Sequence, residues 1–226
     1  MFKSLIDLLF PKVCLGCHTI LEFSEDIICT SCRHEIPLTR FALQEDNLSH
    51  KKFYGRIDIV HASSFLFFHK KGIVQELIYN LKYRGHQEIG TILGDWYFED
   101  LKKVPALSTV DYIIPVPLHK KRLRRRGYNQ VATFGNALAK NFKIPIENNI
   151  LFRNVYTKTQ SKKNIGDRNN IASAVFEVRY TTEHHNKHFL LIDDVLTTGA
   201  TLESCGKALL AIPGARLSIV TMAISH

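Results

Sequence analysis

No apolar run in this 226-residue chain approaches the roughly 20 residues that a membrane-spanning helix needs, so a helical bilayer protein is excluded. Internal repeats are absent as well, which removes repeat architectures. Acidic residues are scarce beside basic ones: 21 Asp and Glu against 30 Lys and Arg give a formal charge of +9 and a pI near 9.3. That imbalance favours polyanionic partners and steering rather than any particular fold. The phosphate-sized loop Thr197 to Thr201 lacks a Walker-type Gly-Lys-Ser/Thr, which argues against a nucleoside triphosphatase. Met1 to Phe10 is apolar, but it contains Asp7, has only Lys3 ahead of its apolar stretch and meets Pro11 without a small-residue cleavage site. It is expected to be a packing helix of a cytoplasmic protein, with Phe2, Leu5, Ile6, Leu9 and Phe10 offering at most a weak interfacial anchor.

What is present suits one sizeable α/β domain with a small appendage, since 45% of the residues are hydrophobic. Four of the five cysteines form two Cys-x-x-Cys pairs, Cys14/Cys17 and Cys29/Cys32, a spacing that places four thiolates around one structural Zn²⁺ with no open position. Disulfides are the alternative, disfavoured in a cytosolic setting, and His18 or His34 can stand in for a cysteine. Cys205 reads as a small core residue rather than a nucleophile. Residues 1–40 are therefore expected to hold the N-terminal helix and zinc knuckle, 41–57 a linker with a possible short helix, and 58–226 the main domain. Within that domain, strands are predicted over 61–68, 110–117, 150–152, 189–192 and 217–224, with a short one over 176–178. Helices are predicted over 72–83, 89–102, 128–141 and 202–211, an alternation that implies a parallel sheet with helices on its faces.

The segment from Phe189 to Thr201 carries the chemistry. Phe189 to Ile192 is a continuous apolar run, and Asp193 and Asp194 follow where a buried parallel strand should end, the place where open α/β sheets bind ligands. Thr197, Thr198, Gly199, Ala200 and Thr201 then supply hydroxyls, backbone N–H groups and a glycine that admits close approach, just ahead of a helix N-terminus. Carboxylates repel phosphate but accept hydrogen bonds from vicinal hydroxyls, so a sugar phosphate satisfies both halves. The alternative is an ordinary N-capped helix with two solvated acids. The segment closely resembles the phosphoribosyl pyrophosphate (PRPP) signature of type I phosphoribosyltransferases; the resemblance implies that the two acids bind ribose hydroxyls and that the Thr-Thr-Gly-Ala-Thr loop binds the 5′-phosphate.

A pyrophosphate would need a second anion site. Pro115, Val116, Pro117 and Leu118 end a neighbouring strand; the resembled fold contacts pyrophosphate there largely through backbone groups, so the resemblance implies that Val116 and Leu118 donate N–H groups while the prolines fix the shape, and ordinary loop rigidity is an equal reading of the two prolines. Lys120, Lys121, Arg122, Arg124, Arg125 and Arg126 fall within seven positions. They have two readings, neutralising pyrophosphate or binding a single-stranded nucleic acid backbone with Tyr128 stacking on a base, and Lys70, Lys71, Lys82 and Arg84 can extend such a footprint. The polar segment 154–172, with Thr159, Gln160, Ser161, Lys162, Lys163 and Arg168, reads either as a loop that closes over the site or as a plain surface loop.

Further matches extend the resemblance along the chain. They are Leu9-Phe10-Pro11 before the first cysteine pair, Leu81-Lys82-Tyr83-Arg84-Gly85, Pro115-Val116-Pro117-Leu118 with Arg122, Arg126-Gly127-Tyr128-Asn129-Gln130, Arg168-Asn169-Asn170 and the Asp193 to Thr201 segment. With them the chain resembles the ComF family of competence-associated, phosphoribosyltransferase-like proteins with an N-terminal zinc-binding segment. It departs from the family pattern after Gln160, where Ser161 stands in place of a leucine, and in the polar insertion at His184-His185. The resemblance implies a type I phosphoribosyltransferase-like fold, binding of PRPP with Mg²⁺ bridging the pyrophosphate, a part in DNA uptake beside other uptake proteins, and a transferase reaction in which a nucleophilic nitrogen attacks C1 and pyrophosphate leaves. A non-catalytic single-stranded DNA-binding factor with a residual sugar-phosphate site is the other reading. A third makes the zinc knuckle a protein-docking module.

Overall fold

The computed structural model describes residues 11–153 and 175–225. The helix expected over residues 1–10 and the loop expected over 154–172 lie outside them. In chain order the elements are α1 (Thr30–Glu35), α2 (Leu48–Lys51), β1 (His61–Phe68), α3 (Ile73–Tyr83), α4 (Glu88–Leu101), β2 (Tyr112–Pro115), α5 (Lys120–Arg126), α6 (Ala132–Phe142), β3 (Leu151–Arg153), β4 (Phe176–Val178), β5 (His188–Leu196), α7 (Ala200–Leu210) and β6 (Arg216–Ser225). Four strands form a wholly parallel sheet in the order β1-β6-β5-β2, so the predicted α/β architecture is what the chain adopts.

Side-chain alternation along β5 explains the layering. Phe189 and Leu191 pack with Leu202, Cys205 and Leu209 of α7 on one face, while Leu190 and Ile192 pack with α3, α4 and α6 on the other. All four strand residues are fully buried, as a parallel strand covered on both sides requires. Helices α4 and α6 approach each other closely because α4 carries no side chain at Gly90 and Gly94; a methyl group at Gly94 would sit 2.7 Å from Ala137 Cβ and 3.0 Å from the Phe134 carbonyl oxygen.

The predicted elements shift in instructive ways. The strand expected over 189–192 runs on to Leu196, paired with β6 through Leu196↔Ile224, so both acids lie inside the strand rather than beyond it. The strand expected around 150–152 does not join the main sheet; β3 pairs antiparallel with β4. The strand expected over 110–117 is regular only across Tyr112–Pro115.

Residues 41–57 are not a free linker. Phe41, Ala42 and Phe53 are buried, and the segment before them covers the edge of β1: Thr39 N–H donates to Phe65 O at 2.9 Å, Phe67 N–H to Pro37 O at 2.8 Å, and Asn47 Nδ2 to Ala62 O at 2.9 Å. Edge strands present unpaired backbone groups, and this segment's polar side chains satisfy part of that demand. The cysteine segment likewise shares the main core: Leu15, Ile28, Cys29 and Cys32 pack in the cluster that holds Val74, Leu77, Ile78 and Leu81 of α3, and Asn80 Nδ2 donates to Leu15 O at 2.8 Å.

The α4/α6 contact generates a test. Gly94→Val should lower unfolding stability by about 1–3 kcal/mol through overpacking, measured by urea denaturation. An unchanged midpoint would show that the helices can separate without loss.

Candidate sugar-phosphate site

The functional segment is built by β5 running straight into α7. Because successive residues of a strand face opposite ways, Asp193 and Asp194 leave the sheet on different sides. Asp193 faces the loop: with Val195, Leu196 and residues 197–202 it lines a cavity of about 50 Å³. Gly199 adopts φ +80°, the left-handed conformation that turns the chain into α7 at little steric cost. The 11-residue helix that follows directs its first-turn amides toward this loop, the usual geometry for an anion. Arg56 braces the outside, with Nη1 donating to Thr198 O at 2.8 Å and Nη2 ion-paired to Glu203. Burial, and after it the neighbouring Asp194 charge, pushes the Asp193 carboxyl up to about 8.

Asp194 is 6% exposed and already engaged. Its Oδ2 accepts from Gln130 Nε2 and from Lys82 Nζ, each at 2.8 Å, and its Oδ1 accepts from Val195 N–H at 2.6 Å. Gln130 Oε1 in turn accepts from Arg126 Nη1 at 2.6 Å, and the Arg126 guanidinium lies 5.0 Å over the Tyr83 ring. Lys82, Tyr83, Gly85, Arg125, Arg126 and Tyr128 line a cavity of about 370 Å³ beside this network.

The neighbouring strand end arrives as expected, since Pro115 pairs with Ile192 and so carries residues 116–118 alongside the acids. The donor role expected of Val116 is corrected: its N–H is used within the sheet, donating to Ile192 O at 3.0 Å, and its carbonyl accepts from Asn129 Nδ2 at 3.1 Å. Leu118 is half-buried in the turn that leads to α5.

The basic run forms α5, begun by His119, whose Nδ1 accepts from Lys121 N–H, and ended by Gly127 at φ +79°. Lys120, Lys121, Arg122, Arg124 and Arg125 are exposed, whereas Arg126 turns inward to Gln130. The Tyr128 hydroxyl donates to Leu81 O, and its partly buried ring packs against the core at the edge of the cavity of about 370 Å³. Exposed aromatic surface lies instead at Tyr79 and Tyr83, whose centroids are 5.1 Å apart, with Arg84 5.2 Å over Tyr79.

Lys82 and Gln130, which meet Asp194, and Arg56, which meets the loop, are neighbours that sequence reading did not place there. Gln130 carried a signal, standing four residues after Arg126; Arg56 carried none, because nothing local ties residue 56 to a loop near residue 198.

The sulfurs of Cys14, Cys17, Cys29 and Cys32 all lie within 4.8 Å of one another, a group suited to a metal such as zinc. With Zn–S bonds of about 2.3 Å, tetrahedral sulfurs lie roughly 3.8 Å apart; Cys17 Sγ and Cys29 Sγ are 3.6 Å apart. Gly16 N–H and Cys29 N–H point at Cys14 Sγ (3.4 and 3.2 Å) and Cys32 N–H at Cys29 Sγ (3.4 Å), the donor pattern that supports thiolate ligands. All four cysteines are free of disulfides. The cluster includes neither His18, which sits 3.5 Å from Glu76, nor His34. Cys205 is wholly buried, and burial pushes its thiol up, as suits a core residue. Among the described residues no helix is long and apolar enough to cross a membrane.

No protein-family model matches the chain. Among characterised proteins it is 37% identical to competence protein F of Haemophilus influenzae over 49% of this chain and 48% of that protein. It is 30% identical to competence protein ComFC of Bacillus subtilis over 61% and 54%, and 27% identical to the DNA utilization protein YhgH of Escherichia coli over 59% and 60%. These matches support the resemblance to the ComF family, and they span about half the length of the relatives concerned. Similar solved structures include an adenine phosphoribosyltransferase (13% identity, TM-score 0.38, 66% of this chain and 74% of that one) and that of Leishmania tarentolae (17%, 0.37, 63% and 73%).

Two outcomes follow from this geometry. Chelator treatment should lower the melting temperature, and Cys32→Ser should reproduce that loss while making the protein insensitive to chelator; metal content by atomic emission checks loading. Asp193 carries a folded pKa of about 8 against an ordinary value of 3.8, so its protonated form stabilises the fold fully below pH 3.8 and that contribution is lost as pH rises through 8. Asp193→Asn should therefore melt above wild type at pH 8 and together with it near pH 4; a gap that does not vary with pH would contradict this.

Proposed function

We propose that this ComF-related chain is a phosphoribosyltransferase-like protein that binds PRPP with Mg²⁺ and serves DNA uptake. The single observation that carries the reading is the continuous β5–loop–α7 unit, in which Asp193 lines the same small cavity as Thr197, Thr198, Gly199, Ala200 and Thr201. The loop and the N-terminus of α7 suit a 5′-phosphate, and the two carboxylates suit ribose hydroxyls, with the turn at Pro115–Leu118 beside them. Bound Mg²⁺ would supply positive charge to offset that of the leaving pyrophosphate. The chain's own contribution to transfer is positional and electrostatic: it orients C1 toward an incoming nitrogen and stabilises departing charge, with no covalent residue. Zn²⁺ at Cys14, Cys17, Cys29 and Cys32 is structural in this reading, because four thiolates complete the shell. Relatives named for competence and DNA utilization support the cellular role.

A second reading, a single-stranded DNA-binding factor with a residual sugar-phosphate site, draws support from α5. That helix has no buried residue, and its Arg125 and Arg126 lie 6.0 and 5.0 Å over the exposed ring of Tyr83.

Calorimetry with PRPP and Mg²⁺ on zinc-loaded protein separates the two. Wild type should bind, and Asp193→Asn/Asp194→Asn should lose binding by at least about tenfold, one charge-assisted pair's worth. Absence of binding by wild type, together with salt-sensitive binding of single-stranded DNA that vanishes in Arg124→Ala/Arg125→Ala/Arg126→Ala, would replace the first reading with the second.

A further inference from the structure

The side of the acid pair turned away from the threonine loop is occupied by a cation. Lys82, near the C-terminal end of α3, places Nζ 2.8 Å from Asp194 Oδ2, and the two side chains are only 20% and 9% exposed. The same carboxylate oxygen is shared with Gln130. Lys82 also forms part of the wall of the 370 Å³ cavity, so one ammonium stands between a carboxylate and an open cavity.

That cavity is short of negative charge. Three of its lining residues, Lys82, Arg125 and Arg126, are cations and none is acidic. Arg126 Nε is buried and has no hydrogen-bond partner. Gly85 leaves one wall open, since nothing lies within 4 Å of where a Cβ would be. Clustered guanidinium and ammonium donors suit an oxyanion with several acceptor oxygens. The expected backbone donor Val116, meanwhile, is engaged within the sheet, which leaves a diphosphate to find its donors elsewhere.

We infer that Lys82 is an exchange residue: it neutralises Asp194 while the cavity lacks an anion, and turns its ammonium to a diphosphate oxygen there, releasing the Asp194 carboxylate to sugar hydroxyls. Gln130 keeps the freed carboxylate oriented, and its link to Arg126 ties that orientation to the cavity wall. The inference rests on the sugar-phosphate reading and deepens it, naming the cavity that takes the diphosphate and the positioning residue that connects the two ends of one ligand.

Inorganic pyrophosphate, without any sugar, is the probe, titrated calorimetrically into zinc-loaded full-length protein. Asp194→Asn should bind pyrophosphate about tenfold more tightly than wild type, because the ammonium loses its competing carboxylate, while binding PRPP more weakly. Lys82→Gln should weaken pyrophosphate about tenfold or more, and Lys82→Arg should restore part of it. A lysine that merely holds the fold would lower the melting temperature of Lys82→Gln without producing these opposite responses in Asp194→Asn. Equal pyrophosphate affinity in wild type, Asp194→Asn and Lys82→Gln overturns the inference. So does binding of a dephosphorylated oligothymidylate, but not pyrophosphate, in the cavity, which would assign it to a phosphodiester backbone. Opposite responses to pyrophosphate with no PRPP binding by wild type would keep the exchange and remove the sugar-phosphate reading alone.

Discussion

Strand β5 is buried on both faces, and that constraint organises both the core and the site. A strand that must be apolar on each side can hold polar residues only where its covering layers end, and Asp193 and Asp194 stand at that limit, still paired to β6. Alternation then gives the two acids different neighbourhoods. Asp193 faces the loop and α7, where burial favours its protonated form; Asp194 faces α3 and the turn before α6, where Lys82 and Gln130 meet it. Two adjacent residues of one type thus acquire different electrostatic roles from geometry alone.

The regions outside the sheet are tied to it by polar groups. Residues 37–49 cover the edge of β1 with backbone and side-chain hydrogen bonds, and Arg56 reaches the Thr198 carbonyl. The cysteine segment joins the core cluster of α3, the helix that also carries Lys82. The four-cysteine segment that packs on α3 therefore supports the helix whose last turn supplies a cation to Asp194. Desolvating an ammonium and a carboxylate is costly unless they are paired, so the Lys82–Asp194 contact depends on that packing being maintained.

The positive charge is divided rather than uniform. Five cations at the start and middle of α5 face solvent, while Arg126 turns in to Gln130 and the Tyr83 ring. The outer group suits steering of a polyanion, which is screened by salt; the inner one suits a defined contact, less screened because it is partly enclosed.

Much was legible in the residues themselves. The apolar run ending in two acids, the Thr-Thr-Gly-Ala-Thr loop and the paired cysteines announce a parallel strand, a phosphate-sized turn and a metal group, because each depends on local spacing: strand periodicity, a glycine with positive φ, and Cys-x-x-Cys turns. Residues 41–57 read as linker because their polar side chains look solvated until an edge strand is there to receive them. The tie of the Tyr128 hydroxyl to the core was hidden for a similar reason, as its partner is a carbonyl 47 positions earlier in the chain. Residue order alone sets which chemistry is available, an acid pair, a hydroxyl-rich loop, four thiols and a run of cations. Packing is what separates Asp193 from Asp194, turns the Val116 N–H into the sheet and sets Lys82 between a carboxylate and a cavity, because those outcomes depend on contacts between helices and strands far apart in the chain.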